Sequence, residues 1–239
     1  MNAPAPAFHL NFDEALRFIW RDPRWLPKLA LGALFSLLSV VVVGGILTQG
    51  YLLLLAERVA RAEPQPLPEW DDFGEILRQG FSGFVISLVL GIPLIVLGFV
   101  IILLYFPILF AGAAGGQGAA AAVGGLLIFF LSLLFLLLAL LVGILGPAAH
   151  AQLVLHDGDL AAAFRFRDIF AFIARHRGQY ALMLIISIAA GSVLSQIGYF
   201  ACFVGVFVTI FVAQLFQYHL IGQLCWYDHT VLTVPQRGE

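Results

Sequence analysis

Three long runs of apolar residues dominate the chain. Lys28 to Ala56 has no charge after its first residue, and Phe81 to Ala149 and Tyr180 to Tyr227 have no charged side chain at all. A hydrocarbon core about 30 Å thick needs roughly 20 apolar helical residues to cross it. By length alone the runs suit one, two and two crossings. They are continuously apolar and rich in Leu, which predicts helices rather than the alternating strands of a membrane barrel.

A unit consisting of a capped amphipathic helix and a following apolar stretch occurs three times. The first unit begins at Asn11, with Glu14 at the capping-box spacing, and its helix ends at Asp22 because Pro23 follows. One face of this helix is apolar. That face carries Phe12, Ala15, Leu16, Ile19 and Trp20.

The second and third units start at acidic residues. Asp72 and Glu75 open the second unit, in which Gly80 offers a bend before the apolar run. The third unit starts at Asp157–Asp159 and its helix is expected to end near Gly178 as the C′ residue. The apolar stripes are Phe73, Ile76, Leu77, Phe81 and Phe84 in the second unit, and Ala163, Phe166, Phe170 and Ile173 in the third. We interpret the three helices as lying in the membrane interface, with ordinary cytoplasmic loops as the alternative.

The positive charges favour a hairpin in the first apolar run. Lys and Arg prefer the cytoplasmic ends of spans, and the chain has 12 of them. If Lys28 to Ala56 crosses once, the basic residues before it lie opposite those that follow. If it turns near Gly44–Gly45 or Gly50 and returns, all of them share one side.

The sequence therefore predicts an all-α, polytopic transmembrane helical bundle forming one domain over residues 1–239, with both termini cytoplasmic. About six spans are arranged as three repeats of an interfacial amphipathic helix plus a helical hairpin. The repeat units cover residues 11–61, 71–148 and 157–224. The approximate spans are 28–46, 47–61, 81–107, 123–148, 180–197 and 199–224.

Composition removes several classes of function. The net charge of −2 comes with no basic tail, so nucleic acid is not an expected partner. No Asp, Glu, Lys or Arg lies at the centre of a predicted span, which argues against ion-coupled transport and acid–base catalysis. The six His are scattered without metal-site spacing, and Cys202 and Cys225 are expected to pack as small apolar groups. We therefore expect no catalytic residue, no metal and no cofactor.

The last predicted span carries a polar face. Gln214, Gln217 and Tyr218 share one side of the helix by their spacing, and Gln196 of the preceding span is close enough in topology to meet them. Polar residues within a membrane are candidates for function. The face is either a binding pocket for a quinone, lipid or partner, or a set of interhelical hydrogen bonds.

The densest acidic motif lies between the first two units. Glu69, Trp70, Asp71 and Asp72 follow Pro68, with Gly74 and Glu75 just after. One interpretation is a cytoplasmic docking motif or a cation site. The other is structural: a proline stop, an interfacial aromatic anchor and an acidic N-cap.

Several of these segments resemble one family. It comprises bacterial and archaeal membrane proteins described only as domain of unknown function 4013. The segments are Arg21–Lys28 (RDPRWLPK), Gly50–Leu53 (GYLL), Leu67–Gly74 (LPEWDDFG) and Ala162–Phe166 (AAFRF). The resemblance covers nearly the whole chain, and its most specific part is the proline–Glu–Trp–Asp–Asp stretch. It implies a multi-span protein of the bacterial or archaeal cytoplasmic (inner) membrane and supplies no activity.

These observations lead to a functional expectation that is mainly negative. We expect a non-enzymatic integral membrane protein, an accessory or scaffold subunit that packs against other membrane protein subunits or the lipid bilayer. The alternative is a carrier or channel for a small apolar or amphipathic solute. The span prolines Pro93 and Pro107 are consistent with this alternative because proline can open a helix wall.

Cysteine labelling tests the hairpin in the first apolar run. Single cysteines at Ala3 and Gln65 should react with an impermeant thiol reagent from the same side of the membrane, since the run crosses and returns. Labelling of the two positions from opposite sides would contradict the hairpin.

Overall fold

The chain is all-α, as predicted. The computed structural model describes residues 9–113, 119–200 and 204–233, which form eight α-helices, two short 3-10 helices and no strand. The α-helices are α1 (Phe12–Arg21), α2 (Trp25–Leu37), α3 (Val42–Ala60), α4 (Phe73–Ala113), α5 (Ala119–Leu155), α6 (Phe166–Arg175), α7 (Arg177–Phe200) and α8 (Val204–Thr233). The 3-10 helices are Leu38–Val40 and Ala162–Phe164. Ala3 and Cys202, which were named above, lie outside the described residues.

Among the described residues, five helices are long and apolar enough to cross a membrane. They are Val42–Ala60, Phe73–Phe110, Ala122–Leu155, Arg177–Phe200 and Gly205–Thr230. A sixth apolar segment, Trp25–Val40, is shorter. The chain is therefore a multi-helix membrane protein, and the exact count of six spans in three repeats stays a prediction.

The first apolar run forms a short helical hairpin whose turn lies earlier than predicted. The turn occupies residues 38–41, because α2 ends at Leu37 and α3 begins at Val42. The predicted turn near Gly44–Gly45 or Gly50 is therefore wrong. Gly44 instead packs against the turn, since a Cβ there would lie 2.4 Å from the carbonyl oxygen of Leu38. With 13 residues, α2 is only about 20 Å long.

Local capping signals in the sequence are confirmed. The side chain of Asn11 accepts from the backbone N–H of Glu14 at 3.0 Å, and Asp72 does the same for Glu75 at 3.1 Å. These bonds satisfy N–H groups that have no partner within the first turn of a helix. Helix α1 ends where expected, because Asp22 before Pro23 adopts an extended conformation.

The second and third repeat units differ from the prediction. Helix α4 runs without a break from Phe73 through Gly80 to Ala113, so the expected bend and separate amphipathic helix are absent. Gly80 instead allows α4 to cross close to α3. In the third unit the break falls at His176, and Gly178 lies inside α7 rather than at a C′ position.

The described chain divides into two compact units, residues 1–86 with 147–239 and residues 87–146. In the first unit α8 is central and packs against α1, α2, α3 and α7. Its core contains large side chains that are almost fully buried. Among them are Tyr51, Leu55, Phe172, Phe211 and Leu215. The arrangement of the whole chain as a single domain stays a prediction.

The second unit contains the C-terminal part of α4, from residue 87, and the N-terminal part of α5, up to residue 146. A Cβ at Gly124 would lie 2.7 Å from Ile108, and one at Gly98 would lie 3.4 Å from Phe135, so the two helices contact each other. Most of their apolar side chains are exposed. Those exposed by 60% or more are Ile95, Phe99, Phe110, Phe129, Phe130, Leu136 and Val123.

In the first unit α3 and α4 cross at a pair of glycines. A Cβ at Gly50 would lie 1.8 Å from the carbonyl oxygen of Ile76, and a Cβ at Gly80 would lie 2.0 Å from that of Ile46. Backbone atoms cannot move aside as a flexible side chain does. Any larger residue would therefore force the two helices apart.

Gly50→Ala should lower the stability of the detergent-purified protein by about 1–3 kcal/mol or more, because the added methyl overpacks a backbone contact. The unfolding temperature followed by size-exclusion chromatography measures this. Gly91→Ala is the matched control, since nothing lies within 4 Å of a Cβ there and Ala is the better helix former. Equal unfolding temperatures for both variants would contradict the crossing.

Candidate functional site

Opposite charges separated along the chain meet in a buried cluster. The Nζ of Lys28 in α2 lies 2.6 Å from Oδ2 of Asp22 and 2.7 Å from Oε1 of Glu69, and it donates to the carbonyl oxygen of Leu67 at 3.1 Å. An ammonium group has three N–H donors, and here it has three acceptors. Lys28 and Asp22 are both about 95% buried. We refer to Asp22, Lys28 and Glu69 as the charge cluster.

The segment beside the charge cluster is held by aromatic contacts as well. Trp70 stacks on Tyr51 with a ring-centroid distance of 4.2 Å and an interplanar angle of 13°. The indole Nε1 donates to the carbonyl oxygen of Lys28 at 3.1 Å, and the Tyr51 hydroxyl donates to that of Pro68 at 2.9 Å. Buried Trp and Tyr side chains need such partners for their polar atoms. The segment 67–70 is thus tied to both α2 and α3.

These contacts locate each member of the predicted docking motif. Glu69 and Trp70 point inward, where Glu69 also accepts from Arg24 at 2.8 Å. Asp71 and Asp72 are exposed, and Asp72 caps α4. The acidic N-cap interpretation is confirmed for Asp72. Docking of a partner at this motif stays a prediction, with Asp71 and Asp72 as its exposed residues.

The carboxyl of Asp22 is ionised at neutral pH. Burial by itself raises the pKa of the Asp22 carboxyl. The hydrogen bond from Lys28, the backbone N–H of Arg24 and the positive charges of both residues outweigh burial, and they hold the pKa below its ordinary 3.8. The sequence argument missed this cluster because it assigned Asp22 to a helix end and Lys28 to a span end. The sequence did contain one signal for the cluster: a lysine at the start of an apolar run. An ammonium group buried there requires acceptors.

A second buried polar cluster lies between α3, α5 and α8. Gln49 donates from Nε2 to the Tyr218 hydroxyl, and that hydroxyl lies 3.0 Å from Nδ1 of His150. His150 and Tyr218 are both more than 90% buried. Neither Gln49 nor His150 was among the predicted site residues, because the sequence argument sought partners only in the neighbouring span.

The predicted polar face is therefore only partly brought together. Gln196 is exposed, Gln217 is half-buried, and the buried Oε1 of Gln214 has no hydrogen-bond partner in the part of the chain that the structure describes. Within the described residues no hydrogen bond joins Gln196, Gln214, Gln217 or Tyr218 to one another. Tyr218 alone enters a polar network, and its partners come from α3 and α5.

A third buried polar contact joins the α6–α7 junction to α8. Oδ1 of Asp228 accepts from Arg175 and lies 2.7 Å from Nε2 of His176. His176 and Asp228 are each about 95% buried. Cys225, one turn earlier in α8, is a free and buried thiol. In the described part of the chain no group of three or more His, Cys, Asp or Glu residues is placed to hold a metal ion.

A cavity of about 570 Å³ adjoins the charge cluster in the same unit. One wall is α1, a second is the segment from Val59 to Leu67, and the third is the last part of α8. Polar and aromatic side chains share its lining. They include Asn11, Glu14, Phe18, Arg21, Glu63, His219, Gln223 and Trp226. Its volume is within the usual range of small-ligand sites, roughly 300–1,000 Å³.

Comparison with known proteins gives one match. The model of a family described as "protein of unknown function (DUF4013)" matches residues 33–216. No curated protein and no solved structure matches the chain.

Lys28→Met should destabilise the purified protein by about 3–5 kcal/mol, because it leaves the buried carboxylate of Asp22 without its counter-ion. The unfolding temperature in mild detergent measures the loss. Arg17→Gln is the matched control, since Arg17 pairs with Asp13 where both side chains are about two-thirds exposed and such pairs contribute little. A loss no larger for Lys28→Met than for Arg17→Gln would contradict the role of the cluster.

Proposed function

We propose that this chain, which belongs to the DUF4013 family of proteins of unknown function, is a non-enzymatic accessory or scaffold subunit that packs against other membrane proteins or lipids. The family supplies no activity, so the proposal rests on the surfaces of the molecule. Its location in a bacterial or archaeal cytoplasmic membrane, with both termini inside, is part of the proposal.

The observation that carries the proposal is the apolar surface of residues 87–146. The most apolar part of Ala122–Leu155 has none of its residues buried, whereas half of the corresponding part of Val42–Ala60 is buried. Phe129, Phe130 and Leu136 are each exposed by more than 60%. Large side chains at this density offer contact area to a neighbouring membrane protein or to acyl chains.

The polar groups support a non-enzymatic role. The buried charged residues Asp22, Lys28 and Asp228 all take part in ion pairs, and Tyr218 and His150 bond to each other. Catalytic acids and bases need an open path to a substrate and a tuned pKa. These groups are used instead to join helices within the described part of the chain.

The alternative of a carrier or channel for a small apolar or amphipathic solute is favoured by one observation. The cavity of about 570 Å³ combines polar and aromatic walls, as an amphipathic solute requires. The span prolines give it less support, because α4 continues through both Pro93 and Pro107.

Site-directed photo-crosslinking in intact cells tests the scaffold proposal. A photoreactive residue at Phe129 or Leu136 should give a discrete protein adduct, because these side chains point away from the rest of their unit. Ile188 in α7 is the matched control, since it is 66% exposed on a helix of the other unit. The partner in the adduct should be identified by mass spectrometry. The same adduct should form when the photoreactive residue is placed in the partner instead.

Crosslinking to lipid alone is the result that would contradict the scaffold proposal. If Phe129 and Leu136 yield only lipid adducts, and the protein purified in mild detergent is a monomer without a second protein, the packing partner is the bilayer alone. That result would contradict a scaffold for other proteins. It would leave the carrier alternative to be measured by solute flux in proteoliposomes.

A further inference from the structure

The cavity lies on the polar side of an amphipathic helix. Helix α1 presents Glu14, Phe18 and Arg21 to it. The other side of α1 presents Leu16 and Trp20, which are 56% and 58% exposed and line a separate, mostly apolar cavity against α7 and α8. A helix that divides apolar from polar surroundings in this way belongs at the level of the lipid headgroups.

Hydrogen bonds assign the proton on the ring of His219. Oε1 of Gln223 accepts from the backbone N–H of Asn11 at 2.8 Å, and Nε2 of Gln223 donates to the Asn11 carbonyl oxygen at 3.0 Å. The orientation of the Gln223 amide is thereby set. Its Nε2 also lies 3.1 Å from Nδ1 of His219, which must then accept. A neutral imidazole with an accepting Nδ1 carries its proton on Nε2.

This Nε2–H donor has no protein acceptor. His219 is 97% buried and lines the cavity, and among the described residues its Nε2 has no hydrogen-bond partner. Because His219 lines the cavity, an oxygen of a bound ligand can accept from this N–H. The cavity is therefore suited to a ligand that brings an acceptor oxygen to His219.

A second donor and two carboxylates complete the lining. The guanidinium of Arg21 makes no ion pair within the described residues, although it borders the cavity. Glu14 and Glu63 border it as well, and Glu63 has only a distant ion pair with Arg58, at 3.8 Å. Asp22 is already neutralised by Lys28. Donors suited to a phosphate and carboxylates suited to an ammonium group thus share one cavity.

We propose that this cavity binds the headgroup of a zwitterionic phospholipid, with phosphate oxygens at His219 and Arg21 and a primary ammonium at Glu14 and Glu63. The placement of α1 at the level of the lipid headgroups favours a lipid over a soluble phosphate, because the cavity then adjoins the membrane. The mixed signs of charge favour a zwitterion over an anionic lipid. The site is independent of the proposed scaffold role and would serve a carrier equally well.

Native mass spectrometry of the full-length, delipidated protein tests the proposal by titration with phosphatidylethanolamine. Wild type should bind this lipid, and Arg21→Gln and His219→Phe should each weaken binding by about tenfold or more, as expected for a lost charge-assisted or buried hydrogen bond. Glu14→Gln combined with Glu63→Gln should weaken binding of phosphatidylethanolamine but not of phosphatidylglycerol, which has the phosphate without the amine. Arg17→Gln, on the same helix outside the cavity, should bind as wild type does.

Several outcomes would overturn the assignment. Wild-type affinity in both Arg21→Gln and His219→Phe would remove the phosphate site, and Arg21→Gln alone decides this if the buried His219 variant does not fold. Displacement of the lipid by millimolar inorganic phosphate would show a site for a soluble anion. Equal binding of the two lipids by wild type, with no effect of the Glu14 and Glu63 changes, would remove the ammonium site. Loss of crosslinked partners without change in these affinities bears only on the scaffold role.

Discussion

The ammonium of Lys28 must find acceptors, because its position in α2 removes it from water. Asp22, Glu69 and the carbonyl oxygen of Leu67 supply one acceptor for each of its three protons. Breaking one partner of such a group leaves an uncompensated charge, which is far more unfavourable than losing an exposed pair. The start of α2 is therefore held against the segment that follows α3, and both ends of this short hairpin lie together. The stacked Tyr51 and Trp70 close the same contact.

Three of the four segments that carry the family resemblance meet at this contact. Asp22 and Lys28 come from the first segment, Tyr51 from the second, and Glu69 with Trp70 from the third. Gly50, next to Tyr51, permits the crossing of α3 and α4. The resemblance thus lies in residues that join helices, which is consistent with a family defined by its fold rather than by a known reaction. The pairing of Lys28 with Asp22 and Glu69 also explains how a chain with few charges can keep some of them buried.

Polar groups are used differently in two parts of the first unit. Toward the helix bundle, Gln49, His150 and Tyr218 satisfy one another, as buried polar groups within a membrane must. Toward α1, the Nε2–H of His219 and the guanidinium of Arg21 are left facing a cavity. Satisfied groups stabilise a fold, whereas oriented but unsatisfied donors select a ligand. Because His219 and Arg21 also line a cavity of about 570 Å³, they are the physical basis for placing a ligand site beside α1.

Residues acting on near neighbours were predictable from the sequence by itself. Apolar run length determined the helical membrane class, and Asn11, Asp72 and Asp22–Pro23 determined helix boundaries, because a cap or a proline acts within one turn. The turn of the first hairpin, the continuity of α4 through Gly80 and the partners of Tyr218 were decided only by the tertiary structure. In the last two cases the deciding atoms lie far apart along the chain: Gly80 faces Gly50, and Tyr218 faces His150. Lys28 shows the limit most plainly, since its charge was visible in the sequence but its burial depended on Glu69 arriving from the segment that follows α3.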